Sequence, residues 1–454
     1  MSFFCTVSIL ALGYILGAHR FLATAGIMGW LTAAIGFLAF AVCARPGAET
    51  EERARRGLPI LLTGTLGMFA TYQLMGVWLR PRSDVALWLL LSGVTVLYLA
   101  FRTKGLTLHV CRTQILPLLL LGFLIVGVKT IRDEPDPHID LFLSQQAAAQ
   151  ALTRFQNPYT ATIPDIYGLA SPLYIPMFKD GRSIFGSFYP PLIALVELPS
   201  FLLTGDVRYT HLIALLISSC LIALMRKSWL SLCGGALLLI NPFSLLLIQF
   251  AWTEAIAILF FCATLFSVSR YPRAVPYLFG LFLTTKQPVL ATLPLVPLLI
   301  GETRNWKQMI GFMSKSLAVV TIVCLPFFLW NRGAFVLSLL TVQTVGPLRK
   351  DLISYPAYAA SIGWFTAPFW LPFLSLPITL YLALWKAPRN PVGFAAASAL
   401  LLIPFFALSK QGSPNYYFLE VGMLCCAVAM TASDSVQALE ITHQRDQTAN
   451  VSPR

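Results

Sequence analysis

The sequence predicts an all-α polytopic membrane protein. The chain of 454 residues is 57% hydrophobic and only 11% charged, which is more apolar surface than a soluble domain can bury. Apolar runs of about 15 to 25 residues recur along it, and in lipid each run must satisfy its own backbone hydrogen bonds as a helix. We expect about 13 or 14 transmembrane helices, including a possible short hairpin, and one large exterior loop that carries interfacial helices.

The individual spans follow from the positions of these runs. The first run lacks a basic region before it and a small-residue cleavage site, so we interpret it as a retained span and not as a signal peptide. The predicted spans are residues 3–18, 22–43, 58–79, 84–101, 113–131, 207–225, 229–248, 252–269, 274–301, 309–330, 361–385, 391–409 and 415–432.

The net charge of +13 indicates membrane topology and not a nucleic-acid partner, because the basic residues lie in short connections between apolar runs. We predict that all six densest basic connections are cytoplasmic, as are both termini, and that residues 132–205 are exterior. The six connections are residues 45–57, 101–105, 225–229, 269–273, 302–307 and 385–390.

This topology imposes two further expectations. The run 274–301 must break at "TTKQP" into two short helices that form a hairpin with Lys286 and Gln287 at its outer tip; the alternative is one long tilted helix. The segment 189–203 must lie in the outer interface or re-enter the membrane, because a full crossing would invert the next basic loop. The nine cysteines show no metal-ligand spacing and are expected to be small core residues.

The exterior loop opens with "DEPDPHID", which places four carboxylates in eight residues beside an apolar span. Asp136 and Pro137 resemble an N-cap and first-turn pair, and Asn157 before Pro158 resembles a helix end, so we predict a helix that runs to Phe155. Its predicted apolar face suits a helix on the bilayer surface. That face comprises Ile139, Leu143, Ala147 and Ala151, with Gln146, Gln150 and Thr153 on another side.

Polar residues that face outward or lie inside spans are the candidates for chemistry, since an ionisable group at membrane depth costs about 2.5 to 3.5 kcal/mol. Several have plain alternatives: Asp140 as a first-turn acid, Glu254 as an interfacial helix acid, and Lys286 as a side chain that extends to the membrane surface. The candidates are Asp133, Glu134, Asp136, His138, Asp140, Arg154, Asp206, Arg208, Gln249, Glu254, Lys286, Gln287, Arg349, Asp351, Lys410, Gln411 and Asn415.

Several short motifs in a fixed order resemble the GT-C superfamily of integral-membrane glycosyltransferases, over roughly residues 115–430. The chain departs from the family pattern before "NPY", where Phe155 and Gln156 stand in place of a usual glycine. The motifs are "IDLFLSQQAAAQALTRFQNPYT", "SFYPPL", "GDVRYTHL", "QFAWTEA", "TTKQPV", "VGPLRKDLISY" and "KQGSPNYYF".

The resemblance implies an inverting enzyme that transfers a hexose, in the manner of a mannosyltransferase, from a polyprenyl phosphate-linked sugar to a hydroxyl of a lipid or glycan acceptor. Phosphate leaves readily, so one carboxylate suffices as general base. Asp140, one helix length before "NPY", matches the family's catalytic position. No cofactor or metal is indicated. The expected substrate-binding residues are Glu254, Lys286, Gln287, Arg349, Asp206, Arg208, Lys410 and Asn415, with Arg332 as a further candidate for the phosphate.

Among the exterior carboxylates, Asp136 is set aside because a cap oxygen is engaged by backbone N–H groups, and Asp133 and Glu134 because they resemble solvated interface charges beside Arg132. The expected organisation is four N-terminal spans of unassigned role (1–110), a catalytic membrane domain (111–432) and a cytoplasmic tail (433–454), in a bacterial plasma membrane. The competing hypotheses are a lipid or glycolipid transporter or flippase and a non-catalytic scaffold or an enzyme of another fold. The transporter hypothesis requires paired helix breaks in two related halves, which the sequence does not show.

Overall fold

The computed structural model describes residues 1–17, 24–44, 48–74, 114–168, 177–301, 306–364 and 367–431. These residues are predominantly helical, with almost no sheet. The predicted span 84–101, the basic connection 101–105, Cys111 and the tail 433–454 lie outside the described residues.

The described α-helices begin and end close to most of the predicted spans. They are α1 Ser2–Gly17, α2 Ala25–Cys43, α3 Ala48–Leu74, α4 Leu116–Asp133, α5 Asp140–Thr153, α6 Leu192–Thr204, α7 Arg208–Leu224, α8 Trp229–Ile240, α9 Ser244–Gln249, α10 Glu254–Arg270, α11 Val275–Leu283, α12 Val296–Ile300, α13 Trp306–Trp330, α14 Arg332–Val336, α15 Val342–Val345, α16 Tyr355–Ser361, α17 Ser375–Lys386, α18 Pro391–Ala407 and α19 Pro414–Met430.

Shorter elements complete the description. Three segments are 3₁₀-helical, Pro158–Thr160, Gln287–Leu295 and Leu371–Leu374, and Leu337–Thr341 is a π-helical turn. A two-stranded antiparallel hairpin in the exterior loop pairs β1 (Phe178–Lys179) with β2 (Arg182–Ser183).

The centre of the molecule is built around α19, whose residues are buried on all sides. This helix packs against α1, α8, α10 and α18, and a helix that is apolar all round belongs in such a position. Glycine allows the closest approaches: a Cβ at Gly234 of α8 would lie 2.8 Å from the Cys425 carbonyl oxygen. The N-terminal helices therefore belong to the same helical assembly as the rest of the chain, because α1 contacts α19 and α2 contacts α18.

Two described helices, Ala25–Cys43 and Trp306–Trp330, are long and apolar enough to cross a membrane. The pair α6 and α7 would add a third if they formed one span, but they meet at an angle of 115°. In α13 only 11% of the apolar window is buried, so this helix presents most of its apolar surface outward, which suits contact with lipid.

The break predicted in the run 274–301 is confirmed. Helix α11 ends at Leu283, and the chain resumes as a 3₁₀ helix at Gln287 after Lys286, which has an extended backbone. One long tilted helix is therefore wrong. The segment 189–203 contains only the short α6 before the sharp bend to α7, as expected for a segment that does not continue straight into the next helix.

Several predicted boundaries are wrong. The connection 45–57 is helical from Ala48, the predicted span 229–248 is divided at Asn241 before a proline, and the predicted span 361–385 has its helix only from Leu371 onward. In the last two, proline and the residue before it interrupt a run that is apolar throughout. Hydropathy locates apolar runs but does not register such breaks.

Five of the eight described cysteines are buried, which confirms their expected role as core residues, and the other three are partly buried. Cys262 and Cys426 lie 3.4 Å apart between their sulfur atoms in the contact of α10 with α19.

Candidate active site

Helix α5 begins at Asp140 and not at the predicted cap, Asp136. The backbone of Ile139 is extended, and Asp140 is the first helical residue, so it lies three residues closer to the helix start than predicted. Asp136 is exposed and caps nothing in the structure. Residues 135–138 form bends and irregular backbone, and the Ile139 N–H bonds to the Pro137 carbonyl, so helical hydrogen bonding begins only after Ile139.

Asp140 is buried, unlike the other three carboxylates of "DEPDPHID". Its Oδ1 accepts a hydrogen bond from the Tyr167 hydroxyl at 3.2 Å and one from the Leu141 N–H at 2.9 Å. No hydrogen bond from the described residues reaches Oδ2, so one carboxylate oxygen is held in place and the other is available to a substrate. Asp136 is set aside as the base because backbone N–H groups at a helix start would engage its carboxylate. In the structure such a hydrogen bond engages Oδ1 of Asp140 and leaves Oδ2 available.

Burial raises the pKa of the Asp140 carboxyl, because the charged form loses water. The Tyr167 hydrogen bond, the positive charge of Arg349 and the Leu141 N–H act in the opposite direction. A carboxylate whose pKa is raised while it stays close to cations is a stronger base than one in water, which suits proton abstraction.

A second cluster lies on α10, the helix break and α19. Lys286 forms an ion pair with Glu254, and the Asn415 amide donates to Glu254 Oε1 at 2.8 Å. The ammonium group of Lys286 also lies 4.1 Å from the ring centroid of Tyr416 and 5.5 Å from that of Tyr189. The predicted residues Glu254, Lys286 and Asn415 are therefore brought together, although Lys286 is buried and does not form an exposed tip.

Two tyrosines connect this cluster with Asp140. Tyr189 and Tyr416 each interact electrostatically with both Asp140 and Glu254, and Tyr416 also does so with Arg349. Residues that are far apart in the sequence thus surround one region next to the start of α5.

Arg349 supplies partly exposed positive charge to the same region, and the partly exposed Lys410 lies beside it. Arg349 Nε donates to Asp351 Oδ1 at 3.1 Å, and the Arg349 backbone N–H donates to the Lys410 carbonyl at 3.4 Å. Lys410 Nζ donates to the Thr344 carbonyl at 2.6 Å. The loops before α16 and α19 are thereby held side by side with both cationic side chains reachable from solvent.

Gln287 acts as a support for the site. Its amide donates to the Phe188 carbonyl at 2.9 Å and to the Leu339 carbonyl at 3.2 Å. It therefore ties the helix break to the exterior loop and to the π-helical turn. These contacts give Gln287 a positioning role, and its expected contact with substrate stays a prediction.

Arg208 and Asp206 hold the start of the exterior loop. Arg208 is fully buried, and its guanidinium contacts both oxygens of Asp206, the nearest at 2.6 Å. It also donates to the carbonyls of Ile131, Glu134 and Pro135 at 2.7 to 3.3 Å. These contacts use Nε and both Nη atoms of Arg208 to hold the end of α4. The expected contact of Arg208 and Asp206 with substrate stays a prediction.

A buried network that sequence reasoning missed joins α5, α6, α7 and the segment before α10. His211 Nδ1 lies 3.1 Å from the Trp252 carbonyl and so must donate to it. His211 Nε2 faces Glu197 Oε1 at 2.9 Å and Gln145 Oε1 at 3.1 Å. The Gln145 amide nitrogen donates to the Ala251 carbonyl at 2.7 Å. This hydrogen bond directs the amide oxygen of Gln145 toward His211.

Both groups facing His211 Nε2 are acceptors, so one proton must lie between this nitrogen and Glu197. The pair therefore exists either as imidazolium and carboxylate or as neutral imidazole and carboxylic acid. Either form carries no net charge, which suits its complete burial.

Glu420 on α19 is the other buried acid that sequence reasoning missed. Neither of its oxygens has a hydrogen-bond partner among the described residues, and it interacts electrostatically with Glu254 and Lys286. A usable signal existed for both missed acids: Glu197 in "ALVELP" and Glu420 in "YYFLEVGML" each interrupt an apolar run. Tyr167 and His211 carry no such signal, because their roles depend on contacts distant in sequence.

Comparison with protein-family models, curated proteins and solved structures finds no match to this chain. Within the described residues no group of three or more His, Cys, Asp or Glu side chains is arranged to hold a metal ion. The expectation that no metal is required stays a prediction.

Proposed function

We propose that the protein is an inverting glycosyltransferase of the membrane, which transfers a hexose from a polyprenyl phosphate-linked donor to a hydroxyl acceptor on the exterior face. The observation that carries this proposal is the interaction of a buried carboxylate, Asp140, with the partly exposed cation Arg349, whose backbone N–H is bonded to the carbonyl of Lys410. A lipid-phosphate sugar requires both: cations for its phosphate and a base opposite the leaving group.

The proposed chemistry needs one base. Asp140 Oδ2 takes the proton of the acceptor hydroxyl while the acceptor oxygen forms a bond to the anomeric carbon. The bond from that carbon to the phosphate oxygen breaks, and the electron pair leaves with polyprenyl phosphate. Because the acceptor attacks from the face opposite the phosphate, the anomeric configuration inverts.

Arg349 and Lys410 are the proposed direct contacts of the phosphate. Arginine offers two parallel donors to phosphate oxygens. Arg349 is ion-paired with Asp351, but both it and Lys410 are partly exposed, whereas Lys286 is buried. The role first expected for Lys286 is modified: its ammonium is already paired with Glu254 and enclosed by two tyrosine rings. Lys286 therefore contributes positive potential and holds Glu254 and Asn415 in place behind the phosphate.

The architecture proposed for this function is a polytopic protein of a bacterial plasma membrane with both termini in the cytoplasm. Several apolar helices, including α1, α8 and α18, are shorter than a full span. In this proposal each of them crosses the membrane together with the neighbouring segment that extends it. The long-chain donor enters between helices from the lipid, and residues 132–205 cover the reacting groups from outside.

The experiment that tests the function is incubation of purified full-length protein with a radiolabelled polyprenyl phosphate hexose in lipid nanodiscs. We expect consumption of the donor, release of polyprenyl phosphate and loss of both in Asp140→Asn. Movement of intact donor between leaflets of proteoliposomes, equal in wild type and Asp140→Asn and without cleavage, would instead identify a lipid transporter or flippase.

A further inference from the structure

A cavity lies at the opposite end of α5 from Asp140. Its volume is about 510 Å³, and it lies between the end of α5, the segment after it and the junction of α13 with α14. Its lining side chains are aromatic, amide, hydroxyl or small, and none is ionisable. The residues used below are Phe155, Gln156, Asn157, Thr160, Trp330 and Asn331.

The lining chemistry selects a neutral, hydroxyl-rich ligand. Aromatic rings at Phe155 and Trp330, 90% and 50% exposed, offer flat apolar faces, while three amide side chains and one hydroxyl offer donors and acceptors. This combination matches sugar rings, whose C–H faces are apolar and whose edges carry hydroxyls. A phosphate group would find no cation among the lining residues.

Phe155 occupies a backbone position that disfavours any side chain. It has φ of 54° at the end of α5, where Gln156 N–H bonds to the Ala151 carbonyl and Phe155 N–H to the Leu152 carbonyl. This is the Schellman arrangement, in which the left-handed residue is usually glycine. The helix end thus keeps an exposed aromatic ring where glycine would be easier to accommodate, and such strain is typical of functional positions.

Asn157 provides the second independent indication of a ligand. Its Oδ1 accepts the Tyr159 N–H at 2.9 Å, which leaves the side chain fixed. Its Nδ2 is buried and has no hydrogen-bond partner among the described residues. A buried amide donor without an acceptor is costly, and a ligand oxygen in the cavity that Asn157 lines would supply the acceptor.

The position of the cavity constrains the length of the ligand. Helix α5 has 14 residues, so its two ends lie about 20 Å apart at 1.5 Å per residue. A single sugar unit is shorter than this distance. A sugar bound in the cavity therefore cannot also place its own hydroxyl at Asp140.

We infer that the cavity beside Phe155 and Trp330 is a subsite for the remote sugars of an acceptor that is a neutral oligosaccharide chain several units long. The role of this oligosaccharide as the acceptor rests on the proposed function. Its binding at the cavity can be measured independently of that function. The subsite holds the existing glycan while its terminal hydroxyl reaches Asp140.

The test is binding of fluorescently labelled neutral hexose oligomers, of about one to six units, to full-length protein in nanodiscs, followed by anisotropy without any donor. We expect affinity to rise with oligomer length in wild type. In Phe155→Gly the longer oligomers should bind at least about tenfold more weakly.

Phe155→Gly is the informative variant because glycine suits the left-handed backbone, so the folded state should be kept or stabilised. The matched control is Phe369→Ala, which removes another exposed phenylalanine, 55% exposed, outside the cavity. Equal oligomer binding by Phe155→Gly and wild type, or no binding of any oligomer by wild type, would overturn the inference. Donor cleavage is assayed separately, so oligomer binding without donor cleavage rejects the proposed function alone.

Discussion

Burial distinguishes Asp140 from the three other carboxylates that follow α4 in the sequence. Asp133, Glu134 and Asp136 are exposed, whereas Asp140 is directed inward and keeps one oxygen engaged by Tyr167 and Leu141. A fixed carboxylate in a site partly shielded from water can take a proton in a defined direction. Three predictions follow from individual side chains.

Asp140→Asn keeps the shape of the side chain and removes the basic oxygen. Because base catalysis contributes about 100 to 10,000-fold, we expect turnover of the labelled donor to fall by that factor while expression and donor binding stay near wild type. The control, Asp133→Asn, changes an exposed group and should have a mild effect. If Asp140→Asn keeps more than about a tenth of the turnover while Glu254→Gln or Asp206→Asn abolishes it, the base is elsewhere.

Tyr167→Phe removes the hydroxyl that donates to Asp140. That hydrogen bond lowers the pKa of the Asp140 carboxyl against the effect of burial, so its loss raises this pKa further. The carboxylate is the working form, and activity therefore rises with pH through the pKa of the folded protein. We expect the acidic limb of the pH profile of turnover to move to higher pH in Tyr167→Phe. A limb that stays in place or moves to lower pH contradicts the assignment of Asp140 as base.

Arg349→Gln and Lys286→Met should fail in different ways. Arg349 is partly exposed and is proposed to contact the phosphate, so its loss should raise the KM for the donor by about tenfold or more, the equivalent of one charged hydrogen bond. Lys286→Met leaves Glu254 buried without its cation and should destabilise the fold by about 3 to 5 kcal/mol.

Thermal unfolding of the purified variants separates the two cases. Lys286→Met combined with Glu254→Gln should recover most of the lost stability, since no unpaired charge then remains in the pair. An unchanged KM for the donor in Arg349→Gln would show that Lys410 or another cation, and not Arg349, binds the phosphate.

At the scale of elements, the network around His211 sets the position of α5 relative to α10. Its hydrogen bonds join Gln145 on α5, Glu197 on α6 and the carbonyl of Trp252 two residues before α10. The two helices that carry Asp140 and Glu254 at their first residues are thereby linked through one imidazole ring.

Glu197→Gln and His211→Phe test this arrangement as a pair. The glutamine amide can donate to His211 Nε2 in place of the shared proton, so we expect Glu197→Gln to unfold within a few degrees of wild type. His211→Phe leaves Glu197 buried without a partner and should destabilise the protein by about 3 kcal/mol or more, with a matching loss of turnover. Adding Glu197→Gln to His211→Phe should restore part of the thermal stability. A similar unfolding temperature for both single variants would show that the two residues share no proton.

At the scale of the whole molecule, the predicted topology places the β-hairpin of the exterior loop and the start of α3 on opposite sides of the membrane. Lys179 and Glu51 are both exposed, so the two positions differ in membrane side and not in burial. Both are suited to substitution by cysteine.

We expect Lys179→Cys to react with an impermeant thiol reagent in intact cells and Glu51→Cys to react only after the membrane is permeabilised. Wild type provides the background from its native cysteines. The reverse pattern of labelling would invert the topology and place Asp140 in the cytoplasm.

The sequence by itself determined the helical class, the position of most apolar helices and the break before Lys286, because hydropathy, proline and charge act over a few neighbouring residues. It also singled out Asp140, Glu254, Arg349, Lys410 and Asn415, since polar groups in an apolar chain are rare enough to be noticed.

Only the tertiary structure decided which of those groups meet. Burial selected Asp140 over its neighbours, Glu254 turned out to hold Lys286 inside the protein, and Arg208 proved to bind carbonyls at the end of α4. The contributions of Tyr167, Gln145 and His211 required the fold as well. Each of these contacts joins residues distant along the chain, and their energies depend on desolvation and on hydrogen-bond geometry that no local pattern encodes.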